Sequence, residues 1–291
     1  MASLREIRKR IRSVKGQQKV TGAMKLVAAS KLRRAQESIQ RARPYAIELG
    51  SLLRRIATRA DTRGEEPAHP LLELRPLRRV LLVVITSDRG LAGAFNANIL
   101  RRAERFLREQ GPRFDSLEIA TIGRKGRDYF KKRKVGTVRD FSGVFNDLRY
   151  ERATDIAEGL CKEFVGRELD AVFLLYNEFK SALTQRVIVE DLLPIVHEEL
   201  PVGEDIDYLY EPDQATVLER LVPRYVATIV WRALLESWAS EQGARMTAMD
   251  SATKNAKDLV SRYSLLYNRT RQAAITRELM EIVSGAEALK G

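Results

Sequence analysis

Leu4 to Ala60 reads LREIRKRIRSVKGQQKVTGAMKLVAASKLRRAQESIQRARPYAIELGSLLRRIATRA. Stepped at alternating intervals of three and four, it gives Leu4, Ile7, Ile11, Val14, Gln18, Thr21, Lys25, Ala28, Leu32, Ala35, Ile39, Ala42, Ala46, Leu49, Leu53, Ile56 and Ala60, and fourteen of these seventeen are apolar. A seam held over so many heptads is too long for one helix lying on a globular core, and it predicts a helix that supercoils with another. Pro44 lies inside it. A proline in a helix interior removes a hydrogen bond and costs about 3 kcal/mol, so a kink or short break is expected there.

The C-terminus carries a matching pattern from about Gln214, after the stop-and-start signal EPD at Glu211 to Asp213. Pro223 in this stretch leaves the lower start of the helix open. The cleanest run is Met249, Ala252, Ala256, Leu259, Tyr263, Leu266, Thr270 and Ala273, after which the phase slips to Ile275, Leu279, Ile282, Ala286 and Leu289. At 1.5 Å per residue the first helix would span about 85 Å and the second about 110 Å. Paired antiparallel, the second overhangs by about a fifth of its length from near residue 271. The phase therefore changes where the partner helix runs out.

Between the two helical stretches, Arg78 to about Glu211 alternates strand and helix. RRVLLVVIT is a continuous apolar strand of the buried parallel kind, ANILRRAERFLREQ a helix, SLEIATIG a strand, GRKGRDYFKKR a short helix, ATDIAEGLCKEFVGREL a helix, and DAVFLLYNEF and QRVIVEDLLPI two further strands. The expected fold class is a central Rossmann-like α/β domain with a long antiparallel coiled coil of the N- and C-terminal helices. The expected divisions are an N-terminal helix over 1–60, a hinge over 61–77 containing DTRGEEPAHP, the α/β domain over 78–211, and a C-terminal helix with a projecting tip over 212–291. A second hinge is expected from Pro201 to Pro212.

The charge is as uneven as the patterning. The 51 Lys+Arg and 39 Asp+Glu leave a formal +12, distributed as +13 over Met1–Ala60, −3 over Asp61–Glu211 and +2 over Pro212–Gly291. Like charges four apart, at Arg5 and Lys9, Arg8 and Arg12, and Lys15 and Lys19, each cost about 0.2–0.5 kcal/mol in an isolated helix. Only Glu6, Glu37 and Glu48 oppose them in the first sixty residues. An acidic partner outside the chain is implied: nucleic acid, an anionic membrane surface or an acidic protein. No recognised nucleic-acid module is present, and the first helix carries a single aromatic residue, Tyr45.

Other classes fall away. The longest apolar runs, such as VLLVVI at Val80 to Ile85, are far short of the roughly 20 residues of a membrane span. A single cysteine, Cys161, excludes an internal disulfide and a cysteine-based zinc site, and two isolated histidines, His69 and His197, supply no metal set and no nucleophile with its base. The loop TSDRGLAGAFNANI has Gly90 and Gly93 but lacks the three glycines of a dinucleotide fingerprint, so it reads as a tight strand-to-helix turn. No catalytic centre and no cofactor site emerge.

Three segments together resemble the gamma subunit, or central stalk, of F-type ATP synthases: LREIRKRIRSVKGQQKVTGAMKLVAASKLRRAQ, ITSDRGLAGAFNANI, and SEQGARMTAMDSATKNAKDLVSRYSLLYNRTRQAAITRELMEIVSGAEAL. The resemblance covers both ends and the order of everything between. It implies a non-catalytic rotor, one copy per complex, inside a hexamer of alpha and beta subunits, with the epsilon subunit and the membrane c-ring at its foot around Lys31 to Tyr45 and Pro201 to Val222. It places Met24, Lys25, Arg271 and Gln272 at beta-subunit contacts, and it supplies acidic beta-subunit loops for Arg8, Lys9 and Arg12. The tip residues Ile275, Leu279, Ile282 and Leu289 become a bearing. It further implies a peripheral place on the cytoplasmic side of a bacterial plasma membrane, with no nucleic acid bound. The rival reading is a basic coiled-coil protein that binds nucleic acid.

Overall fold

A computed structural model describes residues 3–62, 69–195, 211 and 213–288. The chain forms two compact units, one of residues 29–245 and one of residues 1–28 with 246–291. Among the described residues ten main elements occur in order: α1 (Leu4–Thr62), β1 (Arg79–Ile85), α2 (Phe95–Gln110), β2 (Ser116–Ile122), α3 (Arg124–Lys132), β3 (Thr137–Phe141), α4 (Tyr150–Val165), β4 (Ala171–Phe179), β5 (Gln185–Leu193) and α5 (Gln214–Ala288).

In the larger unit the strands form one sheet in the order β3-β2-β1-β4-β5. Its first four strands are parallel, and β5 runs antiparallel to β4. The central strand shows why the order is stable. Val80 to Ile85 are wholly buried, with Leu81, Val83 and Ile85 packed among Ile156, Leu160 and Phe164 of α4 and Val226 and Val230 of α5. Leu82 and Val84 face the other way, onto Ile99 and Phe106 of α2 and Phe130 of α3. A strand covered by helices on both faces has to be apolar throughout, and alternate residues then serve two separate cores.

β3, TVRDF, went unread in the sequence. It is an edge strand with alternating half-buried and exposed residues, so it lacks the apolar run that marks the others. Gly123, which ends β2, sits at φ +96°, and a Cβ there would lie 2.2 Å from the Thr86 carbonyl oxygen. Only glycine fits that conformation and that approach.

Neither Pro44 nor Pro223 interrupts its helix, so the short break allowed for at Pro44 is corrected, and α5 starts ahead of Pro223. Around them Leu49, Leu53, Leu218, Val222 and Val226 are buried. Each such side chain contributes about 1.5–3 kcal/mol, which outweighs the hydrogen bond that each proline removes. The seam positions from Leu32 to Leu53 are all buried or half-buried, while Ile56 and Ala60 lie outside the described side chains.

In the smaller unit, every seam position of α1 from Leu4 to Ala28 is buried or half-buried. The facing part of α5 is antiparallel. Arg8 reaches Tyr267 and Lys25 reaches Asp250, so seventeen residues up α1 correspond to seventeen residues down α5. The register of α5 differs from expectation at Leu259, Leu266 and Ala273, while Ala252 is half-buried as expected. Thr253, Val260, Tyr267 and Ala274 turn inward, whereas Leu259 and Leu266 remain 42% and 45% exposed and Ala273 is exposed. Hydrogen bonding explains two of the shifts: the Thr253 and Thr21 hydroxyls are 2.8 Å apart, and Tyr267 Oη accepts from Arg8 Nη2 at 2.6 Å. Two polar seam residues are thereby satisfied across the pair, which fixes register as well as orientation.

Candidate functional site

The turn after β1 is the first place to look, because ligands of open α/β sheets gather at the carboxyl ends of the strands. Here the chain itself supplies most of the turn's hydrogen bonds, with Asp88 Oδ2 left buried and unpaired. Asp88 Oδ1 accepts from the backbone N–H of Arg124, at the start of α3, and of Gly143, both at 3.0 Å. A carboxylate thus occupies the helix terminus that an anion would otherwise use. The Ser87 N–H donates to Asn96 Oδ1 at 3.0 Å. Gly90 O accepts from Arg245 Nη2 at 3.1 Å, and Arg245 is paired with Glu241 at 2.6 Å, both side chains being nearly inaccessible. Ala92 and Phe95 close on Ala244. Burial raises the Glu241 pKa, and Arg245 pulls the other way. These residues serve as a tight turn that seats α5.

Other isolated candidates are equally occupied. Cys161 is buried in α4, and burial pushes its thiol up to about 12, which removes thiolate chemistry near neutral pH. His69 accepts from the Leu71 N–H through Nδ1 at 3.1 Å and caps the short turn Pro70–Leu72. His197 lies outside the described residues.

The coiled-coil unit offers a different kind of site, built of side chains that the fold leaves over. At its start Ser3 and Glu6 form a reciprocal cap: Ser3 N–H donates to Glu6 Oε2 at 3.1 Å, and Glu6 N–H to Ser3 Oγ at 3.2 Å. Glu6 is thus engaged at the helix terminus. Among the described residues no carboxylate pairs with Arg5, Arg8, Lys9, Arg10, Arg12, Lys15 or Lys19, and all seven are exposed. Of Arg8, Lys9 and Arg12, Arg8 has an internal partner among the described residues, stacking 5.5 Å from the Tyr267 ring centroid as well as bonding its hydroxyl. Lys25 is pulled into the seam by Asp250 at 2.6 Å, and Lys254 completes the group from the same helix at 2.9 Å. Hydrogen bonds from Lys25 and then Lys254 lower the Asp250 pKa. Met24, beside Lys25, is half-buried.

Arg271 and Gln272 are exposed, and Ala274 is the last half-buried residue of α5. Beyond it every described side chain as far as Ala286 is exposed, including Ile275 at 49%, Leu279 at 57% and Ile282 at 68%. Leu289 lies outside the described residues. Ile275, Leu279, Ile282, Val283 and Ala286 recur at helical spacing, so they make one apolar stripe along a helix that has no partner within the described chain. Sequence pattern located this stripe and the free cations. It missed Asp250, Thr253 and Tyr267, whose interest lies in what they face across the pair, and spacing alone does not reveal that.

Comparison with known proteins agrees over the length of the chain. The family model described as ATP synthase matches residues 3–289. An ATP synthase gamma chain from Anaeromyxobacter sp. (strain Fw109-5) is 56% identical over 291 residues, all of both chains. One from Geobacter metallireducens is 49% identical over 292 residues, again covering all of both. Among solved structures, a chain of the central stalk and c-ring of the Tetrahymena thermophila mitochondrial ATP synthase matches with a TM-score of 0.62 at 27% identity, covering 80% of this chain and 99% of that one. A chain of the Euglena gracilis mitochondrial ATP synthase shares the fold with a TM-score of 0.69 at 18% identity, covering 98% of this chain and 94% of that one. The nucleic-acid reading finds no support in these matches. With the sheet order, the antiparallel helix pair and a match from residue 3 to residue 289 in accord, the chain belongs to the gamma-chain, or central-stalk, family of ATP synthase subunits.

Proposed function

We propose that this chain is the turning shaft of an F-type ATP synthase, itself without a catalytic centre, and that it couples ion flow through a membrane c-ring to the nucleotide affinities of an alpha-beta hexamer. The observation that carries this reading is the run of α5 beyond Ala274, where one helix continues alone with an apolar stripe outward. Exposed apolar side chains at that density call for a covering sleeve, and an apolar sleeve permits rotation because few directional bonds must break. In this reading Ile275, Leu279, Ile282 and Leu289 turn in the bearing, Met24, Lys25, Arg271 and Gln272 meet successive beta subunits, and Arg8, Lys9 and Arg12 face acidic loops. The foot, Lys31 to Tyr45 with Pro201 to Val222, would contact the epsilon subunit and the c-ring, although 201–210 and 212 lie outside the described residues.

The energetic requirement is modest. Moving one catalytic subunit from 1:99 to 99:1 between two states takes about 5.5 kcal/mol of differential contact energy. A few contacts that differ between the two states supply that much, and a shaft that touches three equivalent subunits unequally delivers it to each in turn. A single copy per hexamer, regulation of ATP hydrolysis and a peripheral place on the cytoplasmic face of a bacterial membrane belong to the same reading. No described helix is long and apolar enough to cross a membrane.

The test is assembly with alpha and beta subunits. One copy should enter each hexamer and rotate during ATP hydrolysis. Replacing Arg8, Lys9 and Arg12 together by Glu should lower the yield of complex and its ATPase rate several-fold. A chain that stays apart from such a hexamer overturns the proposal, and unchanged assembly, rate and coupling in the triple variant overturn the electrostatic role.

A further inference from the structure

The two poles of the larger unit are built differently. At one, the turn after β1 closes on itself and on α5. At the other, where the strands begin, the parallel order gathers the last turns of α2, α3 and α4, because each helix runs back against its strand. Backbone contacts hold that pole together: Ser116 N–H donates to Arg78 O at 3.0 Å and Asp170 N–H to Arg79 O at 2.8 Å. Arg75 Nη1 donates to Phe164 O at 2.8 Å, and Arg133, just past α3, pairs with Glu104 of α2 at 2.9 Å.

This second pole carries cations that the fold does not use. Arg78, Arg108, Lys131, Lys132 and Lys134 are exposed, and no described carboxylate pairs with any of them. The exposed carboxylates without a described partner there, Asp115, Glu118 and Glu168, are fewer. A lysine in the last turn of a helix opposes the dipole, which accounts for Lys131 and Lys132. It does not account for Lys134 and Arg167. Just beyond α3 and α4, these two hold φ at +56° and +57°, the left-handed position that glycine or asparagine favours. Arg167 reaches Glu73 at 3.5 Å yet stays exposed. Both helices thus set a cation at this pole where the backbone prefers another residue. Apolar side chains stand among the charges. Leu74 and Leu77, in the segment leading to β1, are 69% and 44% exposed, and Val165 at the end of α4 is 46% exposed. The aromatic ring there, Phe114, is half-buried.

Single-stranded nucleic acid is held by cations together with exposed rings on which bases stack, and this face offers leucines in their place. A bilayer surface suits it better, since about four to eight Lys/Arg beside apolar side chains combine attraction to anionic lipid with shallow burial at the acyl boundary. We propose that the pole where the strands begin docks on the anionic headgroups of a phospholipid bilayer. Arg78, Arg108, Lys131, Lys132 and Lys134 neutralise phosphates, and Leu74 and Leu77 dip into the headgroup layer. Such a contact has no fixed partner atom, so it weakens with salt and permits movement along the membrane.

The test uses the full chain alone, which keeps its result separate from that of assembly with alpha and beta subunits. A Leu77→Cys variant carries an environment-sensitive fluorophore; Cys161 is buried, its thiol pushed up to about 12, and does not take the label. Vesicles of phosphatidylglycerol with phosphatidylcholine should shift the emission to the blue, and phosphatidylcholine alone should not. Attachment through the cations of α1 would leave position 77 unshifted, and the same label at Leu91→Cys, in the turn at the opposite pole, should stay unshifted too. Lys131→Gln, Lys132→Gln and Lys134→Gln together should weaken the response about a hundredfold, at about fivefold per cation. Leu74→Ser should weaken it several-fold. All four side chains are exposed, and the thermal midpoint of each variant reports that it is folded. No shift at position 77 on anionic vesicles, an equal shift on neutral ones, or an undiminished response in the folded triple variant overturns the proposal. A shift of equal strength on duplex DNA that Leu74→Ser leaves intact assigns the face to nucleic acid and overturns it as well.

Discussion

In the sheet, six consecutive residues of β1, Val80 to Ile85, lose all contact with solvent, whereas in the coiled-coil unit the buried apolar side chains among the described residues are Ile7, Ala28, Met249 and Ala256, and each keeps a trace of exposure. Most of the rest of that seam is half-buried, and two of its polar members are held by partners across the pair: Thr21 by Thr253 and Lys25 by Asp250. The sheet has cores on both faces and keeps its own structure. A pair of helices has one narrow seam, and most of what it carries is left on the outside. The difference separates a region packed on both faces from one that leaves most of its surface unpartnered within the described chain.

The sharpest way to break this contrast is at Gly123. Alanine there would combine a strained left-handed backbone with a Cβ 2.2 Å from the Thr86 carbonyl oxygen, and should cost at least about 3 kcal/mol in denaturant unfolding. Next comes a paired comparison. Leu82→Ala in the sheet should cost about 3–4 kcal/mol, and Ile7→Ala in the coil only about 1–2, since an open two-helix seam can close around the deletion. Equal losses would mean that the coil is as well packed as the sheet.

A smaller effect tests register. Lys25→Asp places like charges opposite each other and should lower the thermal midpoint slightly. Adding Asp250→Lys should restore it, and high salt should shrink both changes. If the swap fails to rescue, the pair does not set register. The smallest effect is a pH dependence at the α/β unit. Burial lowers the His69 pKa from its ordinary 6.5, so the folded state prefers the neutral ring. That stability is fully present above about pH 6.5 and declines as the pH falls toward the lower folded value. His69→Asn keeps a capping side chain and should flatten the slope between pH 7.5 and 5.5 in thermal unfolding.

Much of this was legible in one dimension because it rests on period. Fifteen seam positions from Leu4 to Leu53 are buried or half-buried where the heptad count put them. The end of the partnered region near residue 271 followed from helix lengths alone, and burial stops at Ala274. Apolarity misled at Leu259 and Leu266, since hydrophobic side chains were assigned to the seam that in fact face outward, while the amphipathic Tyr267 and the hydroxyl of Thr253 face in. Edge strand β3 was missed because it needs only one half-buried face. The free cations of α1 and the apolar stripe of α5 stood out as unbalanced charge and unpartnered apolarity, whereas Met24, Lys25, Arg271 and Gln272 came from the family resemblance. The supports of these residues did not stand out, because a hydrogen-bond partner more than two hundred residues away leaves no local pattern.

Residue order by itself determined the two helical seams, the buried parallel strands, the concentration of positive charge in the first sixty residues and the absence of any cysteine or histidine cluster. These are properties of spacing and composition, which depend on helix and strand periods common to all chains. Tertiary structure alone decided that Pro44 and Pro223 stay helical, that Asp88 and Arg245 close the turn after β1, that Thr253 rather than Ala252 meets Thr21, and that Glu236 and Arg232 are left with unmet atoms. Each of those outcomes is a competition between groups distant in sequence, in which burial and hydrogen bonding outweigh the local preference of a single residue.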